Sequence, residues 1–285
     1  IPVGILSSIF IYLSMPIFYD FNKSKIESLI CKGFKVSCSI EGKIKYSFLP
    51  SPRVKFNDFI IKDLSKDKKI LANIKTIDIK ISLKNLHDKE KINYKKINLI
   101  DGEINFDLKN LKTYKNIFQT KFNLKNVNFK KMNIKFFDDE KYITAINNAA
   151  IKYKSKSETN KVNINGDFLG DLIVINLKNK IKKEKKISTL KIKLVNSKLS
   201  SQLVIEDKNN EENDLTTGNF SIKKDKNKMM AIFNYENDQI TIKKGNLKNA
   251  FLEGKFDGLL KILPHFSFDL DLDLNIFNFN KLSSI

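Results

Sequence analysis

Arginine is nearly missing from this chain. Arg53 is the only one among 52 basic residues, although the formal charge is +20. Base-edge readout and bidentate phosphate grip favour the planar guanidinium, so the scarcity argues against a nucleic-acid reader. The lysines are spread along nearly the whole length beside many Asn and Ile, a compositional bias that still suits contact with anionic lipid headgroups. Lysine-rich runs such as KNKIKKEKK lack the interleaved aromatics of a nucleic-acid platform and read as solvated turns.

Histidine is scarce too. His87 in NLHDKE and His265 after Pro264 each stand alone, as loop and turn residues. Gly-rich phosphate loops, G-x-S-x-G and H-E-x-x-H do not occur, so neither an enzyme nor a cofactor site is expected. Asp269, Asp271 and Asp273 set three carboxylates on one strand face within about 14 Å. A straight ladder cannot wrap an ion, and calcium-loop spacing is missing, so no metal site is expected. The two cysteines, Cys31 and Cys38, either bridge in an oxidising compartment or remain as small, partly buried thiols. With 10 Gly and 5 Pro, turns must be made mostly by Asn, Asp and Lys. After residue 19, long apolar runs suited to strands buried on both faces are scarce.

What the chain does contain is alternation. In FSFDLDLDLNIFNF, every second residue from Phe266 to Ile276 is large and apolar, giving one greasy and one acidic face. The pattern recurs at Ile44, Tyr46 and Phe48; at Ile77, Ile79, Ile81 and Leu83; at Ile104, Phe106 and Leu108; and at many places beyond. Amphipathic helices that could cover these faces are nearly absent after Gly33. Three architectures satisfy such strands: a two-sheet sandwich, a closed barrel, or a long curved sheet with an apolar trough. Each exposed Leu or Phe forfeits roughly 1.5–3 kcal/mol of burial, so a wide apolar trough would mark a binding site.

Residues 1–19, IPVGILSSIFIYLSMPIFY, carry no charge, a length able to cross about 30 Å of hydrocarbon as a helix. A cleavable signal peptide competes with an uncleaved anchor, but bulky Met15, Ile17, Phe18 and Tyr19 occupy the place of a small-x-small cleavage site. Ile1 is not an initiator Met, so the segment is expected to begin upstream. A short helix follows over 20–33, with Ser24 and Glu27 as a capping box, Ile26, Leu29 and Ile30 on one face, and Gly33 as its stop.

Several stretches taken in order resemble the AsmA family of Gram-negative envelope proteins. The opening MPIFYDFNKSKIESLICKGFKVSCSIEGKIKYSFLPSPRVKFNDFII is similar to that family's start: membrane helix, short helix, then strand, Gly42 and strand ending at Pro50 and Pro52. LANIKTIDIKISLKNL and YKKINLIDGEINFDLKNL resemble its paired strands, with Asp101-Gly102 as the turn between two of them. FNLKNVNFKKMNIKFFDDEKYITAINNAAIKYK resembles a pair over a central Asp turn, and NAFLEGKFDGLLKILPHFSFDLDLDLNIFNFNKL another repeated unit. The family's large carboxy-terminal portion is missing, so the chain is expected to be a fragment.

The resemblance implies a mainly β protein: a membrane anchor over 1–19, a short juxtamembrane helix over 20–33, and over 34–285 a long curved antiparallel sheet forming a hydrophobic groove. It implies a single-pass inner-membrane protein whose β-region lies in the periplasm and binds or conducts phospholipid acyl chains between the inner and outer membranes, supporting outer-membrane biogenesis. Ile44, Tyr46, Phe48, Ile79, Ile81, Phe106, Leu108, Phe268, Leu270 and Leu272 are the candidates to line that groove. The alternatives are a scaffold for outer-membrane protein assembly that pairs incoming strands at a sheet edge, and an outer-membrane β-barrel.

Overall fold

The computed structural model describes residues 2–31, 36–62, 69–110, 126–156, 158–182, 185–208, 216–236, 239–261 and 267–282. It is mainly β, as the alternation requires. Helix α1 (Pro2–Ser14) runs into a 3-10 turn (Met15–Phe18) and is followed by α2 (Lys23–Cys31). Sixteen strands come next: β1 (Ser37–Ile40), β2 (Lys45–Ser47), β3 (Arg53–Lys62), β4 (Ile70–Ile81), β5 (Tyr94–Asp107), β6 (Asn126–Asp138), β7 (Lys141–Lys156), β8 (Thr159–Phe168), β9 (Asp171–Lys182), β10 (Lys185–Leu194), β11 (Leu199–Lys208), β12 (Thr216–Lys224), β13 (Asn227–Glu236), β14 (Gln239–Lys248), β15 (Leu252–Lys261) and β16 (Ser267–Phe277). A four-residue α3 (Phe279–Leu282) ends the described chain. Two compact units result, residues 1–156 with 166–169 and residues 157–165 with 170–285.

In the first unit the strand order is β1-β3-β4-β5-β6-β7, with β2 also on β3. Its apolar face is sealed. Val54, Ile79, Ile97, Val127 and Tyr153 form one cross-strand row, and Phe59, Ile74, Gly102, Met132 and Ala149 another; all ten are buried. The two rows lie on opposite sides of a transverse kink. Asp58, Asp101, Lys131 and Asn148, one each in β3, β5, β6 and β7, adopt positive φ where the ladders skip. Across β3 to β6 the registers stay in step here, each strand leaving one residue unmatched in its ladder, so buried positions change parity without changing face. On β4 they are Ala72 and Ile74, then Ile77, Ile79 and Ile81.

Two expectations are corrected here. Asp101-Gly102 is not a turn between strands but a kink inside β5, where a Cβ on Gly102 would strike the Asn73 carbonyl oxygen. Nor is the sheet wholly antiparallel: β5 and β6 run parallel. Parallel neighbours need a connection of a dozen or more residues, and the chain between Asp107 and Asn126 is long enough for one. The strand expected at Phe122–Leu124 lies outside the described residues.

The amino-terminal segment is stitched to this unit. Asn22, rather than Ser24, caps α2, its Oδ1 accepting from the Lys25 N–H at 3.3 Å. Glu27 is free of the capping box and accepts the Ile40 N–H at 2.7 Å, while Lys23 donates to the Ile40 carbonyl at 2.9 Å. Ile26 and Ile30 are buried, and Cys31 is disulfide-bonded to Cys38 with Cα atoms 6.2 Å apart. The Leu29 side chain and Gly33 lie outside the described residues. α1 is different. Val3, Ile5, Leu6, Ile9, Phe10 and Ile11 are all exposed on a 13-residue helix, roughly 20 Å long, so apolar surface surrounds it. No helix among the described residues is long and apolar enough to cross a membrane.

In the second unit β9 to β16 follow in sequence order, each antiparallel to the next. Lysine and Asp make turns here, as the scarcity of Gly and Pro requires: Lys198 and Asp225 take positive φ between β10 and β11 and between β12 and β13. The Lys198 turn is held by Asp171, whose carboxylate accepts the Asn196 and Ser197 N–H groups, both at 2.8 Å. The Ser197 hydroxyl, then these amides, hold its carboxyl below the usual range against the opposing effect of burial. A depressed folded pKa contributes stability above the unfolded value of about 3.9, and that contribution is lost as pH falls through the folded value. Asp171→Asn is therefore expected to lower the urea midpoint at neutral pH and flatten its fall on acidification. Parallel curves for the two proteins would refute this.

Candidate functional site

The second unit carries a broad apolar face with little above it. The registers line up Leu177, Leu190, Leu203, Phe220, Ala231, Gly245, Phe256 and Leu272 in one row across β9 to β16. On one side lies a parallel row that includes Ile175, Ile192, Ile222, Met229, Leu247 and Leu274; on the other lies Ile205, Gly218, Phe233, Ile242, Gly258 and Leu270. Seven interstrand steps of about 4.8 Å make the central row roughly 34 Å long. The opposite face reads Asn176, Lys191, Gln202, Ser221, Met230, Asn246, Lys255 and Asp273 along the same line, polar except for the methionine.

Burial along this face is graded. Ala231, Ile242 and Phe256 form a small core with Phe220, Ile240, Leu247 and Leu260 packed around it. Gly218 and Gly245 make room there, because the rings of Phe233 and Phe256 lie where a Cβ would sit. Towards β9 the face is half-buried: Ile175, Leu177, Leu190, Ile192 and Leu203 all keep some contact with solvent. Towards β16 it is open, with Phe268 67%, Leu270 39% and Leu272 51% exposed. Apart from α3, no helix is described in this unit. β16 pairs with β15 and ends the strand order, so its other edge is unpaired among the described residues.

The candidates named from the sequence divide between the units. Phe268, Leu270 and Leu272 lie together on this face. Ile79 and Ile81, 0% and 4% exposed, are packed into the first unit's core with no surface left for a ligand. Tyr46 and Phe48 are engaged with α1: the Tyr46 hydroxyl donates to the Leu13 carbonyl at 2.8 Å, and the Phe48 ring meets Phe10 edge-on at 5.3 Å. Burial pushes the Tyr46 phenol up to about 12, which keeps it a donor at any working pH. Ile44 is half-buried beside them. Phe106 is half-buried against Phe136, rings stacked at 5.9 Å, and Leu108 is exposed in the 3-10 turn after β5. Leu177, Leu190, Leu203 and Phe220 belong to the face but were not singled out. Their alternation marked each as inward on its own strand, but only the cross-strand register puts them in one row.

No family model matches the chain, and no curated protein matches it. The resemblance to AsmA proteins therefore stands on the order of its sequence motifs.

Proposed function

We propose that this is an AsmA-like protein, anchored in the inner membrane through α1 with its β-units in the periplasm, that holds or conducts phospholipid acyl chains. What carries the proposal is the half-open apolar row from Leu177 to Leu272, backed on the sheet's other face by a line that is polar except for Met230. One leaflet of acyl chain is about 15 Å deep, half the hydrocarbon core, so the row is longer than a chain. Each buried methylene is worth about 0.8 kcal/mol, which bars an acyl chain from water but lets it slide between equivalent apolar positions at little net cost. The apolar, uncharged circumference of α1 supports the anchor, and the disulfide suits an oxidising compartment.

The test is native mass spectrometry of purified protein, with a photo-crosslinker in place of Leu270. Bound phospholipid and lipid crosslinks are expected, and Leu270→Asp is expected to cut the bound lipid about tenfold or more, as a charge on that strand faces the chain's path. Protein free of lipid and of crosslinks would sink the proposal.

The unpaired edge of β16 favours a second reading, capture of an incoming strand by an outer-membrane assembly scaffold. Retention of an unfolded barrel protein by a lipid-free preparation would select it. That same edge is what a closed barrel lacks.

A further inference from the structure

We infer that the end of the first unit from which α1 emerges docks on an anionic bilayer surface, with Leu49 and Leu83 as apolar tips that enter the interface. The inference rests on the reading of α1 as membrane-embedded, and adds that the β-unit itself touches the lipid. Two loops reach this end. The β2–β3 loop carries Leu49, 69% exposed, next to Phe48, whose ring packs on Phe10 of α1. The β4–β5 loop carries Leu83, 57% exposed, whose carbonyl accepts the Tyr12 hydroxyl of α1 at 2.8 Å; the same hydroxyl accepts the Leu86 N–H at 3.2 Å.

These contacts fix depth. Phe10 and Tyr12 lie within the last turn and a half of α1, so whatever level that turn occupies, the two loops share it. If the apolar helix continues into hydrocarbon, its last turn sits at the headgroup boundary, where a tyrosine is at home. Two exposed leucines held there by aromatic and hydrogen-bond contacts meet acyl chains rather than water.

The charge around them is complementary to anionic headgroups. On the acidic side of the β4–β5 loop, Asp88 is paired with Lys91 and Glu90 with Lys25. Lys84 follows Leu83 and is exposed. Lys80 and Lys96 stand directly opposite each other on β4 and β5, both exposed, at this same end. Like charges directly opposite across a ladder oppose folding, and a surface of phosphates offsets that repulsion.

The chain contains no tryptophan, so a single introduced Trp reports its own depth. The full-length variants Leu49→Trp, Leu83→Trp, Phe10→Trp and Tyr142→Trp would be reconstituted in phosphatidylcholine–phosphatidylglycerol vesicles whose acyl chains are brominated near the headgroup. Tyr142 is as exposed as Leu83 but lies just after the β6–β7 turn, roughly 40 Å along the strands from this end. Positions 10, 49 and 83 are expected to shift to the blue and lose half or more of their emission, and position 142 to lose almost none. Quenching at 10 without quenching at 49 and 83 would overturn the inference and leave the anchor standing. No quenching at 10 would remove both. In the Leu83→Trp protein, adding Lys80→Glu, Lys84→Glu and Lys96→Glu is expected to weaken quenching in the anionic vesicles; an unchanged signal would overturn the headgroup assignment.

Discussion

Ile79→Ala is expected to destabilise the first unit by about 2–5 kcal/mol, whereas Leu272→Ala changes stability by about 0.5 kcal/mol or less. Both residues are inward on alternating strands, and both were candidates for one lipid-facing surface. They differ in what lies over them. Ile79 is inaccessible, in a row with Val54, Ile97, Val127 and Tyr153, so truncation leaves a cavity that a strand paired along both edges cannot close. Leu272 is half exposed on an edge strand, where truncation removes little that was buried. Site-resolved hydrogen exchange is the measurement, since it reads the two units separately. Protection in β3 to β5 should fall for Ile79→Ala alone, and bound lipid should fall for Leu272→Ala alone. Equal losses of protection would mean that the second unit's face is as closed as the first's.

The second large effect is expected at Arg53. Its Nη1 donates to Asp78 Oδ2 at 2.9 Å, Nε to the Ser51 carbonyl at 3.0 Å and Nη2 to Ser51 Oγ at 3.2 Å. The pair is largely shielded, with side chains 16% and 10% exposed. Arg53→Met leaves the Asp78 carboxylate shielded with no cation beside it, at a cost of about 3 kcal/mol, the lower end of the range for breaking a buried pair. Adding Asp78→Asn removes the stranded charge and should recover much of the loss. Arg53→Lys should fall between, because an ammonium cannot reproduce the planar fork that meets three acceptors at once. A loss within about 0.5 kcal/mol for Arg53→Met would show the pair to be solvated. The one arginine in a lysine-rich chain thus serves a structural contact.

The strands were legible because their signal is local. Pleating turns successive side chains to opposite faces, so TIDIKISL and FSFDLDLDL declare their inward residues without reference to anything else. The kink was not. The change of parity from Leu99 to Ile104 looks the same whether the chain turns back at Asp101-Gly102 or merely kinks, and only the neighbours choose; the close approach of the Asn73 carbonyl shows the kink. The helix cap moved from Ser24 to Asn22 for a similar reason, since Glu27, which would complete the box, is drawn off by the Ile40 amide across the chain.

By itself the sequence determined a chain of one-sided strands, an uncharged apolar start and turns built from Asn, Asp and Lys, because each follows from the pleat or from side-chain chemistry within a few residues. Tertiary structure alone decided which apolar faces are closed. Ile79 and Leu272 have the same local pattern, but closure depends on what distant segments bring over a face and on register that aligns eight strands into one row. Those are long-range pairings, and alternation carries no information about partners.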